Sequence, residues 1–189
     1  MKMKNLLNNL NEFALSDSDF QHPSYLHGRL HTYRVIAWTV IICNITDYKK
    51  GRNAFFAAMV HDMGRVDDSK DPLHGLNSAR KYLPKYKGLF RKYGASETDL
   101  DEIAEAITMH SLYEEKNDNE TLKILKDADA LDRVRLHPHK PDPTFLRYSF
   151  TWSLVPAAAE LLKFTEGHSK AGLQDIIHKA ADLAKVKLF

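Results

Sequence analysis

Val60-His61-Asp62-Met63-Gly64-Arg65 closes the apolar run Ala57-Ala58-Met59 and sets a histidine beside an aspartate where the chain is about to turn. Inside an α-helix, neighbouring side chains diverge by about 100°, because 3.6 residues make one turn. A glycine two residues after the pair relieves that constraint, so the backbone can bend and aim both side chains at one point. Gly64 therefore reads as the end of the helix that carries Ala57 to Val60.

On both sides of this stretch apolar residues recur at three- and four-residue spacing, and nowhere is there the sustained alternation of a half-buried strand. The pattern implies an all-α fold. It predicts helices over about 3–15, 26–47, 52–62, 73–82, 84–93, 97–112, 120–135, 153–165 and 170–187. Ser96 and Thr98 precede Asp99, Asp101 and Glu102, so a hydroxyl can cap the open amides while acids face the positive end of the helix. Pro156 stands where a first helical turn tolerates a missing amide hydrogen. Pro138, Pro141 and Pro143 crowd the connection Leu136 to Thr144, which cannot be helical but is too short for a domain boundary. The expected architecture is one compact helical bundle over residues 1–189. Its motif-bearing core spans about 27–135, and C-terminal helices at about 150–187 pack on it.

Composition narrows the partners. The 189 residues are 43% hydrophobic and 28% charged, which suits a globular protein. The formal charge of +2 is too near neutral to argue for nucleic acid or membrane. The single cysteine, Cys43, reads as a small buried hydrophobe and cannot build a thiolate metal site, so a reducing, cytoplasmic setting is expected. The most apolar run, Val35 to Ile45, falls short of the ~20 residues a bilayer requires. Lys2 and Lys4 lead into an Asn-rich stretch, not into the apolar core of an export signal.

Ten histidines are present, and their placement relative to acids matters more than their number. His31 lies one helix before His61-Asp62, and Asp129 lies inside Leu125-Lys126-Asp127-Ala128-Asp129-Ala130-Leu131-Asp132. With His27-Gly28, Arg34-Val35, Leu73-His74-Gly75 and Ser78-Ala79 around them, these residues resemble the HD superfamily of metal-dependent phosphohydrolases. That superfamily's signature is one His, an adjacent His-Asp and a later Asp after Ala. The resemblance covers about residues 27–135. It implies an all-helical fold in which His31, His61, Asp62 and Asp129 share a divalent ion, with His74 and His110 as candidates for a weaker second one. Nitrogen and oxygen donors of this kind suit manganese, iron, zinc, cobalt, nickel or magnesium.

By the same resemblance, the reaction is hydrolysis of a small phosphorylated metabolite or a nucleotide by metal-activated water, since an ion lowers the pKa of bound water toward roughly 7 to 9. Arg34, one turn after His31, and Arg65, just past the bend, are candidates to meet phosphate oxygens. Asp67, Asp68 or Asp132 are candidates to pass the proton. Two other readings are a di-iron oxygenase, which requires both His74 and His110 as ligands, and a noncatalytic module that holds the ion for ligand binding. No Gly-Tyr-Pro element of the cyclic-dinucleotide enzymes is present, and Asp132 stands where alarmone hydrolases show His-Asn.

Other features read as structural. His22, His137, His139, His168 and His178 lack partner patterns and are assigned to the surface, while His27 is assigned to the pocket. Asp127 and Asp132 point to other helix faces than Asp129, as solvated acids or as supports for a ligand. The basic and aromatic stretch Arg80 to Tyr93 reads as an amphipathic helix pair in preference to a single-stranded nucleic-acid surface, with steering of an anionic substrate as a middle reading.

Overall fold

The computed structural model describes residues 3–113, 119–136 and 141–188. Among them the α-helices are α1 (Met3–Leu7), α2 (Arg29–Thr46), α3 (Gly51–Val60), α4 (His74–Lys81), α5 (Leu83–Lys92), α6 (Glu97–Met109), α7 (Glu120–Asp132), α8 (Val155–Gly167) and α9 (Leu173–Ala184). No strand occurs among the described residues, so the all-α expectation is met.

Every residue of α2 from His31 to Cys43 is buried. A helix that is apolar nearly all round has no solvent face to offer, and α2 accordingly becomes the axis of the molecule. Helices α3, α7, α8 and α9 pack around it, α6 lies against α3 and α7, and α4 packs on α6 and α5. Trp38, Ile36, Ile41 and Ile42 fill the interior from this helix. Cys43 lies among them, and burial pushes its thiol pKa up. No helix among the described residues is long and apolar enough to cross a membrane.

The aromatics of Arg80 to Tyr93 are largely turned inward. Phe90 stacks on Phe56 with ring centroids 4.1 Å apart, and Tyr86 donates to Asp19 Oδ1 at 2.8 Å. The amphipathic helix pair is thus the arrangement observed, with Lys85, Arg91 and Lys92 exposed.

Several expected helices are shorter than their patterns, among them those expected over 26–47 and 97–112, observed as Arg29–Thr46 and Glu97–Met109. The helix expected over 3–15 stops at Leu7 and resumes as a 3-10 turn over Leu10–Phe13, because Asn8 and Asn9 offer side-chain amides that compete with helical backbone bonds; Asn9 Nδ2 donates to Asn5 O at 2.9 Å. Helix α7 ends at Asp132, followed by a 3-10 turn over Arg133–Arg135. Helix α9 ends at Lys185, whose φ of 54° is left-handed. Pro156 does sit in the first turn of α8. Pro143 opens a 3-10 turn over Pro143–Phe145 in the proline-rich connection, while Pro138, His137 and His139 lie outside the described residues.

The start of α6 is built as its sequence implies, with one addition. Asp99 N donates to Ser96 Oγ at 3.1 Å, and Ser96 N donates back to Asp99 Oδ2 at 3.0 Å. The same carboxylate also accepts from Asn53 Nδ2 at 2.8 Å and Arg52 Nη2 at 2.9 Å, which ties the first turn of α3 to that of α6. Burial opposes its ionisation, but Asn53, Ser96 and Arg52 hold the carboxyl well below its ordinary 3.8. A depressed carboxyl contributes stability that is full above the unfolded pKa and fades as the pH falls through the folded one. Asp99→Asn is therefore expected to cost about 2 kcal/mol at pH 7. In urea unfolding the gap between the two proteins should narrow as the pH drops below 3.8; an equal gap at pH 7 and pH 3 would show that the charge contributes nothing.

Candidate metal centre

Four imidazoles reach one point from four helices. His31 lies in the first turn of α2, His61 just past the end of α3, His74 at the start of α4 and His110 just past the end of α6. In each ring Nδ1 faces an acceptor. His31 Nδ1 donates to Asp132 Oδ2 at 2.7 Å, His61 Nδ1 to Ala58 O at 2.8 Å, His110 Nδ1 to Ile107 O at 2.6 Å, and His74 Nδ1 to the Asp71 carbonyl. At His31, His61 and His110 such partners fix the proton on Nδ1 and leave Nε2 as a lone pair, whereas His74 Nδ1 also faces the Arg65 Nη1 donor at 2.8 Å.

The four Nε2 atoms converge on Asp62. His31 and His61 bring their Nε2 atoms within 3.2 Å of each other, and His74 and His110 bring theirs within 2.9 Å. Asp62 stands between the pairs, with Oδ2 at 3.3 Å from His31 Nε2 and Oδ1 at 3.0 Å from His74 Nε2 and 3.5 Å from His110 Nε2. Asp129 adds Oδ1 at 3.5 Å from His31 Nε2. Facing lone pairs and carboxylates in a buried space repel and cannot hydrogen-bond to one another, so the arrangement demands a cation or protons among them. Two groups have ligand atoms mutually within 4.8 Å: His31, His61 and Asp129, and His61, Asp62 and His110. Either could hold a divalent ion, and the nitrogen and oxygen donors fit one.

The electrostatics call for positive charge among these groups. Burial drives the His61 pKa down to about 3, so that ring is neutral at pH 7. Burial opposes a charge on His74, but Asp62 raises its pKa above the ordinary value. Burial also opposes ionisation of Asp62, and positive charge on the facing rings, or a cation in its place, is what holds the carboxyl well below the usual range.

Two glycines set the spacing. A Cβ on Gly75 would lie 2.4 Å from Ile107 O and 3.0 Å from His110 Nδ1, so only glycine lets the start of α4 touch the end of α6 and pair His74 with His110. Gly64 closes the turn that follows α3, as its place in the sequence implies, and it also permits contact with α4, where a Cβ would lie 2.4 Å from Ser78 N and where Gly64 N donates to Ser78 Oγ at 2.8 Å.

Several candidate roles are corrected. Arg34 does not face a substrate: it is buried, with Nε donating to Asp132 Oδ1 at 2.6 Å, Nη2 to Asp132 Oδ2 at 3.0 Å and Nη1 to Thr165 Oγ1 at 2.9 Å. Asp132 cannot relay protons to solvent, because it is fully buried between Arg34 and His31; burial opposes its charge, but Arg34 and His31 hold it ionised. It is the anchor that orients His31. Asp67 is exposed and spends its carboxylate on Ser69 N and Oγ. Asp127 is buried, not solvated, and accepts from Arg147 N, Tyr148 N and Thr151 Oγ1. His22 has a neighbour after all, Asp68 Oδ2 at 3.5 Å, whereas His168 and His178 are exposed.

A cleft of about 290 Å³ opens onto the cluster, lined by His27, Asp62, Asp68, His74 and Asp129 and by the cations Arg65, Lys70, Arg133 and Arg135. Asp68 Oδ1 accepts from His27 Nδ1 at 2.8 Å and Ser24 Oγ at 2.7 Å, while burial drives the His27 pKa down to about 4. Arg65 is nearly buried. Its Nη1 faces His74 Nδ1 at 2.8 Å and its Nη2 donates to Ser69 O at 3.1 Å, but its buried Nε has no acceptor among the described residues. Lys70, Arg133 and Arg135 were not singled out from the sequence, although Arg133 follows Asp129 by one helical turn and so shares its face.

The family model described as HD domain matches residues 29–134, more than half of the chain. The chain belongs to the HD domain family. The HD domain so matched contains all six clustered side chains, and α8 and α9 lie beyond it. HD domains form a superfamily of metal-dependent phosphohydrolases, in keeping with the ligand-like cluster. At the stringency applied, neither curated proteins nor solved structures return a match.

Because His61 belongs to both groups, His61→Ala should abolish tight uptake of manganese in calorimetric titration, whereas His110→Ala should keep one ion and lose the second. Asp132→Asn should weaken the ion that His31 serves by about 10- to 100-fold, the usual effect of losing a support behind a histidine ligand. Unchanged affinity in Asp132→Asn would show that His31 needs no anchor.

Proposed function

We propose that this protein is a metal-dependent phosphohydrolase acting on a small phosphorylated metabolite or nucleotide. The observation that supports it best is the buried Arg65 guanidinium, whose Nε lacks an acceptor beside six converging ligand-type side chains. A buried donor left unmatched costs about 1–3 kcal/mol. An anion in the cleft removes that cost, and a phosphoryl group suits the fork of the guanidinium.

His31, His61, Asp62 and Asp129 would hold one divalent ion, and Asp62, His74 and His110 a second. When bound, such ions supply Lewis-acid polarisation of a phosphoryl oxygen and a water of lowered pKa. The chain itself binds and orients. Arg65, Lys70, Arg133 and Arg135 give the cleft a cationic wall for phosphate oxygens. His27, with Nδ1 committed to Asp68, is kept neutral by burial and can only meet the substrate or its water through Nε2. Among the described residues no serine or cysteine on the cleft is paired with a histidine base in the manner of a covalent mechanism: Ser69 Oγ donates to Asp67 Oδ1, and Cys43 is buried far along α2.

A second reading, a di-iron oxygenase, is kept alive by one fact: His74 and His110 both approach Asp62 Oδ1. Iron content and dioxygen consumption separate the two. The cationic wall favours the phosphate.

Phosphate release from a panel of nucleotides and phosphate esters, with added manganese, cobalt, nickel or magnesium, should require metal and stop with a chelator. Arg65→Ala should lower kcat/KM by an amount equivalent to about 2 to 4 kcal/mol while leaving in place the ion held by His31, His61 and Asp129, none of which it contacts. Full activity after chelation, or no phosphate release from any member of the panel, would refute the proposal.

A further inference from the structure

A second and larger cleft, of about 1010 Å³, meets the cluster from the other side of Asp129. The two clefts share Lys70, Asp129 and Arg133, so a molecule whose phosphate lies in the smaller one extends past these residues into the larger. The smaller has room for a phosphoryl group beside its cations; the larger is the size of a pocket for a drug-like ligand.

Two aromatic side chains line the larger cleft, and both are exposed. Tyr113 is 80% exposed and Phe145 56%. Large apolar groups left in water at one site are the mark of a surface that something else covers. Phe145 is also held in place. It ends the 3-10 turn Pro143–Phe145, which Asp142 caps by accepting from Thr144 N at 2.9 Å. Just beyond it, Arg147 N and Tyr148 N donate to the buried Asp127 carboxylate at 2.8 and 3.0 Å. Asp127 is two residues before Asp129 on α7, so the backbone that carries the phenyl ring is tied to the helix of a ligand-type carboxylate. A backbone held in this way need not be ordered on binding.

A planar, aromatic group joined to a phosphate fits this layout: an apolar face for Tyr113 and Phe145, then a polar link past Arg133 and Lys70, then a phosphoryl group at Arg65. A bare sugar phosphate would leave both rings uncovered. We propose that the larger cleft receives the nucleoside of a nucleotide substrate, with the base against Phe145 and Tyr113. The direction assigned to the phosphate rests on the phosphohydrolase reading; the base contact does not.

The test compares matched ligands with and without a base on the manganese-loaded protein: adenosine monophosphate against ribose 5-phosphate, and adenosine triphosphate against inorganic tripolyphosphate. Affinity is read by calorimetry and phosphate release in parallel. Each nucleotide should bind at least about 10-fold more tightly than its base-free partner, the scale of one base stacked on an aromatic side chain. Phe145→Ala and Tyr113→Ala, both at exposed positions that folding does not depend on, should each reduce that ratio by about 5-fold. Equal affinity for the base-free ligands, no nucleotide binding at millimolar concentration, or a ratio that survives the double variant would overturn the proposal. The two readings fail separately. Base-dependent binding with no phosphate release under any metal leaves the cleft and removes the hydrolase. Release from ribose 5-phosphate without base-dependent binding does the reverse.

Discussion

Repulsion organises this molecule's centre. Four imidazole lone pairs and two carboxylates are driven into a small buried volume, and each ring is kept there by a bond on its far side, to Asp132, to Ala58 O, to Ile107 O and to the Asp71 carbonyl. None of these groups would choose such neighbours alone. They are held because their helices are held: α2 by burial along most of its length, α4 by backbone contacts at Gly64 and Gly75 that exclude even a methyl group. The fold supplies the rigidity and the cluster spends it.

That division explains why one salt bridge matters more than its neighbours. Asp132 receives Arg34 and His31 on its two oxygens, deep between α2 and α7. Buried ion pairs often add little net stability, because desolvation offsets attraction. Here the pair has a further effect, since Arg34 keeps the carboxylate charged and the charged carboxylate fixes the tautomer of a ligand-type histidine. The arginine that seemed placed for substrate acts through two intermediaries instead.

How much of this was legible in the sequence depended on distance along the chain. His31, His61, Asp62 and Asp129 were found together because their flanking residues form a pattern, and the all-α class followed from helical spacing in segments such as Val35 to Ile45. Interactions that need two remote helices to meet left no trace. Arg34 and Asp132 are 98 positions apart, and nothing local marks them as a pair. Asp127 looked like a solvated acid beside a more important one, because its partners are backbone amides of Arg147 and Tyr148, which carry no sequence signature. Gly64 was legible as the end of a helix, but its second requirement, room for the backbone at Ser78, depends on a helix that follows and was not. Asn8 and Asn9, by contrast, announced a break in the first helix that the apolar spacing masked.

The crowding around Asp62 also couples the working parts to the melting curve. A cation placed among those lone pairs relieves a repulsion that exists only when the chain is folded, since the unfolded chain scatters the six side chains over nearly a hundred residues. Anything that binds the folded form alone shifts the unfolding equilibrium, by about 2.7 kcal/mol when present at 100 times its dissociation constant. On that reasoning the thermal midpoint of this protein would gauge any divalent ion that binds among those side chains.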